Sequence, residues 1–209
     1  MLCQLIRPRL RSLANRRYRF AGSDTTAVAF RSTFYHLMRN PEKLAKAHAE
    51  IDAALAAGSL SSPIKHSETT TKLPYICASI KEAMRMHPSV GLSMQRHAPA
   101  EGIELAGKFI PKGYRIGLNP AVVHYDKDIY GQDADAFRPE RWLVSEEEWR
   151  AMDRNLLIFG AGTRTCIGKN VSPLLPCQRP SSASTDTCRF LWLSSTLSYP
   201  RSFDTSTCR

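Results

Sequence analysis

Apolar side chains recur at helical spacing from residue 20 onward. Phe30, Phe34 and Leu37 fall in one stripe. Asn40-Pro41 ends that helix, and Pro41 opens the next because a first-turn residue needs no N–H donor. In this second segment Leu44, Ala47, Ile51 and Leu55 form one face and Gly58 closes it. Glu42, Lys43, Lys46 and Glu50 occupy the opposite face and read as solvated surface. Residues 59–72 are polar and broken by proline, which predicts a loop. Residues 73–87 carry a third helical pattern, stopped by Pro88.

Beyond Pro88 the helical period is lost. Residues 91–97, 103–105, 108–111 and 114–118 read as short strands, with Gly102, Gly107 and Gly113 as turns. Residues 119–125 predict a short helix, and residues 131–139 an acidic, irregular connector. Residues 145–152 carry three successive glutamates and predict a surface helix that Ser145 caps. The expected class is mainly α with small β-sheets.

The chain has 209 residues, enough for one domain with a sizeable core. Its formal charge of +10 raises the question of nucleic acid or anionic membrane. Much of that charge comes from arginines in the first twenty residues, and no basic stripe interleaved with aromatics occurs, so no nucleic-acid partner is expected. Cys3, Cys77 and Cys166 are scattered, whereas Cys177, Cys188 and Cys208 fall near the end; all are read as reduced. No apolar run reaches membrane-spanning length, and residues 1–20 lack the apolar core of a signal peptide.

Candidate chemistry gathers in the stretch Phe159-Gly-Ala-Gly-Thr-Arg-Thr-Cys-Ile-Gly168. Gly160, Gly162 and Gly168 permit tight turning and close approach to a flat ligand. Backbone amides in such a turn favour the thiolate of Cys166, and Arg164 suits a carboxylate. A thiolate here serves as nucleophile, zinc ligand or iron ligand. The lack of any Cys-x-x-Cys pair argues against zinc. Upstream, Ala21-Gly22-Ser-Asp-Thr25 combines small residues with the carboxylate of Asp24 and the hydroxyl of Thr25, a possible proton route. The same string is also a common helix start, with Ser23 or Asp24 as the cap. Glu82 and Arg85 lie three apart on one helix face, an arrangement worth only about a few tenths of a kcal/mol on an exposed helix.

The string Phe-x-x-Gly-x-Arg-x-Cys-x-Gly resembles the haem-binding loop of the cytochrome P-450 family, the haem-thiolate monooxygenases. The resemblance implies that Cys166 is the proximal iron ligand and that Arg164 meets a haem propionate, with Phe159, Gly160, Gly162 and Gly168 shaping the loop. Ala21 to Thr26 is similar to the family's oxygen-side helix motif. By that likeness Ala21 and Gly22 lie against haem, and Asp24 and Thr25 deliver protons on the oxygen side. Phe137-Arg-Pro-Glu-Arg-Trp142 is similar to the segment that the family packs against its Glu-x-x-Arg helix. Glu82, Arg85 and Arg141 would then form a buried triad, with backbone carbonyls answering the surplus positive charge. Arg96 reads equally as a propionate partner or a strand-surface arginine. His124 reads as a hydrogen-bonded structural histidine, and residues 90–93 as substrate-side lining.

Four motifs stand in the family's order, and the resemblance covers residues 20–170, with a texture similar to filamentous-fungal members like pisatin demethylase. It implies haem as cofactor, electrons from NADPH through a flavoprotein reductase, O2, a small apolar substrate and, for a full-length member, the endoplasmic reticulum membrane. Residues 1–19, an arginine-rich stretch without an amphipathic stripe, are expected not to continue the oxygen-side helix and to be mis-joined sequence. Residues 171–209 are rich in Ser, Thr and Pro. Pro173, Pro176 and Pro180 rule out the helix expected there, so this tail reads as disordered or mistranslated. The expectation is therefore a fragment of the fold, incomplete at both ends and inactive by itself. The alternatives are a non-enzymatic remnant without stable haem binding and an unrelated basic interaction protein.

Overall fold

A computed structural model describes residues 2–62 and 64–169, with side chains from Ala21 onward except at position 66. The tail expected at 171–209 lies outside these residues. Seven helices, four strands and two short 3-10 turns are described. The helices are α1 (Leu2–Arg39), α2 (Pro41–Ala56), α3 (His66–Lys72), α4 (Pro74–Met86), α5 (Pro120–Val123), α6 (Lys127–Tyr130) and α7 (Glu146–Arg154). The strands are β1 (Met94–His97), β2 (Ile103–Leu105), β3 (Lys108–Ile110) and β4 (Arg115–Leu118). The architecture is mainly helical with two small antiparallel hairpins. No helix of the described residues is long and apolar enough to cross a membrane.

Helix α4 is the axis of the structure. Every residue from Tyr75 to Arg85 is buried, Lys81, Glu82 and Arg85 included. Helix α1 packs on it through Ala29, Ser32, Thr33 and Leu37, which are all buried, and Ser32 Oγ donates to the Ala83 carbonyl at 2.9 Å. This face of mostly small residues lets the two backbones approach. The expected aromatic stripe is therefore only part of the contact: Phe30 is partly buried, while Phe34 remains 43% exposed.

Five expectations need correction. Helix α1 starts at Leu2 and not near residue 20. Leucine, arginine and alanine are strong helix formers, so backbone preference continues the helix without an amphipathic stripe, and Pro8 in its second turn does not end it. Ser23 and Asp24 are consequently in the helix interior, and neither is a cap. On α2 the buried stripe turns toward Ala47 and Ala54, leaving Leu55 46% exposed, because short alanines suit close packing on α4. Glu50 is not solvated surface: its carboxylate accepts from the Tyr75 and Ile76 amides at 2.8 and 2.9 Å and so closes the start of α4. Finally, the polar loop expected at 59–72 contains α3. Glu68 reaches back to the Lys65 amide at 3.1 Å and also accepts from the Ser61 amide and hydroxyl, which fixes the first turn without an apolar stripe.

The hairpins follow the glycine punctuation. Strand β1 pairs with β4, Met94 opposite Leu118, and β2 pairs with β3, Ile103 opposite Ile110. The β2–β3 turn places both Ala106 and Gly107 at positive φ, 51° and 71°, the geometry that matches strand twist in a two-residue hairpin. Asn119 Oδ1 caps α5 through the Ala121 amide, and Ser145 Oγ caps α7 through the Glu148 amide. Helix α6 falls where the pattern gave no signal and starts at the Asp126 carboxylate, which accepts from the Asp128 amide. Tyr130, Ala134, Trp142 and Met152 then pack a second core beneath Ala78 of α4.

Candidate functional site

The Glu82 carboxylate is fully buried. Its position is set by helix geometry: Arg85, three residues on, folds back so that Nε meets Oε2 and Nη2 meets Oε1, each at 2.9 Å. The 3-10 turn Pro139–Trp142 brings the remaining partners. Arg141 Nε donates to Oε1 and Trp142 Nε1 to Oε2, both at 2.9 Å, and the Arg138 amide adds a donor at 3.1 Å. Two guanidiniums against one carboxylate leave a surplus positive charge. Arg85 spends it on the carbonyls of His124 and Ala134, and Arg141 on those of Tyr130 and Asp133. Asp133 also places Oδ1 3.3 Å from Arg141 Nη1. The cluster is thus satisfied in both charge and hydrogen bonds, the condition under which buried ions are tolerated.

Two neighbours extend it. Lys81, also buried, sets Nζ 2.6 Å from Asp153 Oδ1 and 3.9 Å from the centre of the Trp149 ring, so α4 grips α7. His124 is fully buried, with Nδ1 3.0 Å from the Arg85 carbonyl and Nε2 2.9 Å from the Leu157 amide. Burial lowers its pKa to about 4, and the nearby Arg85 charge pushes the same way against the stabilising Arg85 carbonyl.

Beyond Leu157 the chain turns into the glycine loop. Gly160 takes a φ of 73°, and a Cβ there would come within 3.4 Å of the Arg164 carbonyl. The Cys166 amide donates to the Phe159 carbonyl at 2.8 Å, which closes the loop on itself. Cys166 is a free, exposed thiol. It lies on one wall of a cleft of about 350 Å³, beside Phe159, Gly160 and Arg164. Thr25, Thr26 and Ala29 of α1 line the cleft, and Val90, Leu92, Met94 and Arg96 complete it.

Motifs far apart in sequence therefore share one cavity: Thr25, Arg96, Arg164 and Cys166 all line it. Asp24, Ala21, Gly22, Gly162 and Gly168 do not, although a Cβ on Gly168 would lie 3.8 Å from Cys166 Sγ. Thr25 Oγ1 donates to the Ala21 carbonyl at 2.8 Å, and Ser89 Oγ donates to the Thr25 carbonyl at 2.7 Å. Arg96 lies on the exposed edge of β1, its guanidinium on the Gln95 and Ala161 carbonyls at 2.9 and 3.4 Å.

The cytochrome P-450 family model matches residues 17–174. The chain belongs to the cytochrome P-450 family. It is 49% identical to cytochrome P-450 monooxygenase ACRTS1 of Alternaria alternata over 73% of this chain and 40% of that protein. It is likewise 49% identical to cytochrome P-450 monooxygenase cicH of Emericella nidulans over 74% of this chain and 31% of that one. A pisatin demethylase of Fusarium vanettenii is 42% identical over 74% of this chain and 29% of its own length. The chain thus spans about a third of the length of the curated relatives it matches.

The family implies a haem cofactor, and the donor set of the cleft fits one. Among the described residues no group of three or more His, Cys, Asp or Glu side chains is placed to hold a metal ion. A single accessible thiol suits a metal whose other ligands come from a prosthetic group. The cleft lining is apolar at Ala29, Met84, Val90, Leu92, Met94 and Phe159, with the cations of Arg96 and Arg164 beside it, which matches a flat apolar ring carrying two carboxylates.

Sequence reasoning missed Trp142 and Ser89 as partners of the named motifs. Trp142 had a signal, since it directly follows Arg141 and a buried indole N–H needs an acceptor. Ser89 had none, because its partner lies 64 residues away.

Proposed function

We propose that residues 20–170 form the haem-thiolate core of a monooxygenase that inserts one oxygen atom of O2 into a small apolar substrate. The observation that carries this reading is the meeting of Cys166, Arg164, Arg96 and Thr25 around one apolar cleft. Bound there, haem supplies the oxygen-activating chemistry, with electrons from NADPH through a flavoprotein reductase. The chain's own residues set the conditions. Cys166 Sγ would supply the thiolate ligand to the haem iron, presented by the glycine loop. Arg164 and Arg96 pair with propionates. Thr25 Oγ1, which also lines the cleft, would hold a proton for bound oxygen, and Asp24, the preceding residue of α1, would relay protons to it from solvent. Val90 and Leu92 shape the apolar substrate space. The full-length protein belongs at the endoplasmic reticulum membrane. Cys166→Ser in a haem-loaded, full-length form tests the reading through the reduced, CO-bound spectrum. The strongly red-shifted thiolate band should disappear, and a variant that keeps it would remove Cys166 as the axial ligand.

A second reading concerns the 209-residue chain alone. Cys166 is exposed, and its neighbour Ile167 is 85% exposed, so within the described residues water reaches the loop that carries the sulfur. Water there would compete for a bound iron and screen arginine–propionate pairs. The isolated chain should take up little haem and show no turnover with reductase and NADPH. Stoichiometric haem uptake in a titration of the purified chain would reject this.

A further inference from the structure

We propose that His124 is a positioning residue for the cysteine loop, transmitting the register of the buried Glu82 cluster to the segment that presents Cys166. The proposal builds on the reading of Cys166 as the functional thiolate.

Each link is a specific hydrogen bond between distant parts of the chain. Arg85, clamped by Glu82, donates through Nη1 to the His124 carbonyl. The His124 ring answers at the Arg85 carbonyl through Nδ1, 3.0 Å away, so the two residues hold each other at main-chain and side-chain level. The other ring nitrogen, Nε2, lies 2.9 Å from the Leu157 amide. An amide only donates, so Nε2 must accept; Nδ1 therefore carries the proton and donates to Arg85. The neutral ring is the form this site requires, in keeping with its lowered pKa. Tyr130 meets the ring edge-on at 6.4 Å, which limits its rotation.

Leu157 is where the loop begins. Its amide goes to His124, and its carbonyl accepts from the Gly160 amide at 3.0 Å. Two residues after Leu157, the Phe159 carbonyl takes the Cys166 amide at 2.8 Å. The route from the cluster to Cys166 thus runs from Arg85 through His124 to Leu157, and then across the glycine turn. The side-chain hydrogen bonds of Arg85 and Arg141 end on Glu82 and on residues 124–136, whereas His124 reaches Leu157 directly. A histidine fits this position because it offers one donor and one acceptor at opposite edges of a rigid ring. Phenylalanine keeps the ring shape but offers neither, and glutamine restores an acceptor and a donor on a flexible stem.

The test is amide hydrogen exchange on the 209-residue chain, read by mass spectrometry of peptides covering 156–166 and 74–86. His124→Phe should raise exchange in the 156–166 peptides on the order of tenfold, while the α4 peptides stay close to the parent. His124→Gln should restore most of the protection in 156–166. Unchanged exchange of 156–166 in the phenylalanine variant would overturn the proposal. So would equal loss of protection in α4 and the loop, or absence of rescue by glutamine, since either outcome makes His124 a general core residue. The haem reading fails elsewhere: a thiolate-type CO band retained in Cys166→Ser removes the ligand assignment and leaves the exchange pattern standing.

Discussion

Glu82 and Cys166 sit at opposite extremes of the same fold. Glu82 is shielded from water and receives five hydrogen bonds from Arg85, Arg141, Trp142 and the Arg138 amide. Cys166 is exposed, and the hydrogen bonds of its own backbone stay within its turn. The difference teaches how the molecule divides its work. Ionic groups are buried where they fix the relative placement of α4, the 3-10 turn and the acidic connector, and there every charge has an answer. Of the two cysteines with described side chains, Cys77 is buried and Cys166 is left accessible at a cleft. Stability and chemistry are thereby separable by mutation.

The largest test of that separation pairs two substitutions. Arg85→Ala leaves the buried Glu82 without its bidentate partner and the His124 and Ala134 carbonyls without donors, and should cost roughly 3–5 kcal/mol. Cys166→Ser, at an exposed position, should stay within about 0.5 kcal/mol of the parent. Urea unfolding of both reads the contrast directly. If Arg85→Ala unfolds within about 1 kcal/mol of the parent, the cluster is not the frame described here.

Acid sharpens the comparison next. His124 has a folded pKa of about 4, below its ordinary 6.5. Between those values the unfolded chain binds the extra proton. Its contribution is thus complete above pH 6.5, falls as pH drops, and is gone by about pH 4. The span corresponds to roughly 3 kcal/mol. Urea midpoints measured from pH 7 to pH 4 should fall more steeply for the parent than for His124→Gln. Parallel curves would show that the ring is not held neutral by the fold.

Glu50→Ala comes third. Two amides at the start of α4 lose their acceptor, which should cost about 1–2 kcal/mol by the same urea measurement. A neutral outcome would mean that water replaces the carboxylate without loss.

Much of this frame is legible in the amino-acid sequence. Proline and glycine punctuation located α2, α4 and the four strands to within a few residues, because those residues act locally. Glu82, Arg85 and Arg141 could be named together only through the family resemblance. Spacing says nothing about a contact that spans 59 residues. What the pattern misassigned depended on packing. Glu50 looked solvated because its partners lie on another helix, and Leu55 looked buried because alanines decide how α2 meets α4. Helix α3 escaped notice because a carboxylate and hydroxyls anchor its start in place of apolar periodicity. At the site, glycine spacing marked the cysteine loop, but the sharing of one cleft by Thr25 and Cys166 is a tertiary fact.

The smallest expected effect lies at the rim of the same frame. Glu140 neighbours Arg141, yet its carboxylate faces outward to α2, with Lys46 Nζ at 2.8 Å and Lys43 Nζ at 3.2 Å. Partial burial raises its pKa, but hydrogen bonds from Lys46, its own backbone and Lys43 together outweigh this and hold it at about 2. The stabilisation is therefore present above the ordinary value of 4.5 and lost as pH falls through about 2, a window that begins near the lower end of that of His124. Lys46 is the more exposed partner, and its removal leaves Lys43 and the Tyr75 hydroxyl on Glu140. Lys46→Ala should thus cost about 0.5 kcal/mol or less at low salt, and nearly nothing at about 1 M salt, where screening acts within a few ångströms. Urea midpoints at the two salt concentrations measure this. A loss from Lys46→Ala that rivals Arg85→Ala and persists in high salt would erase the distinction between a buried ionic frame and a solvated rim.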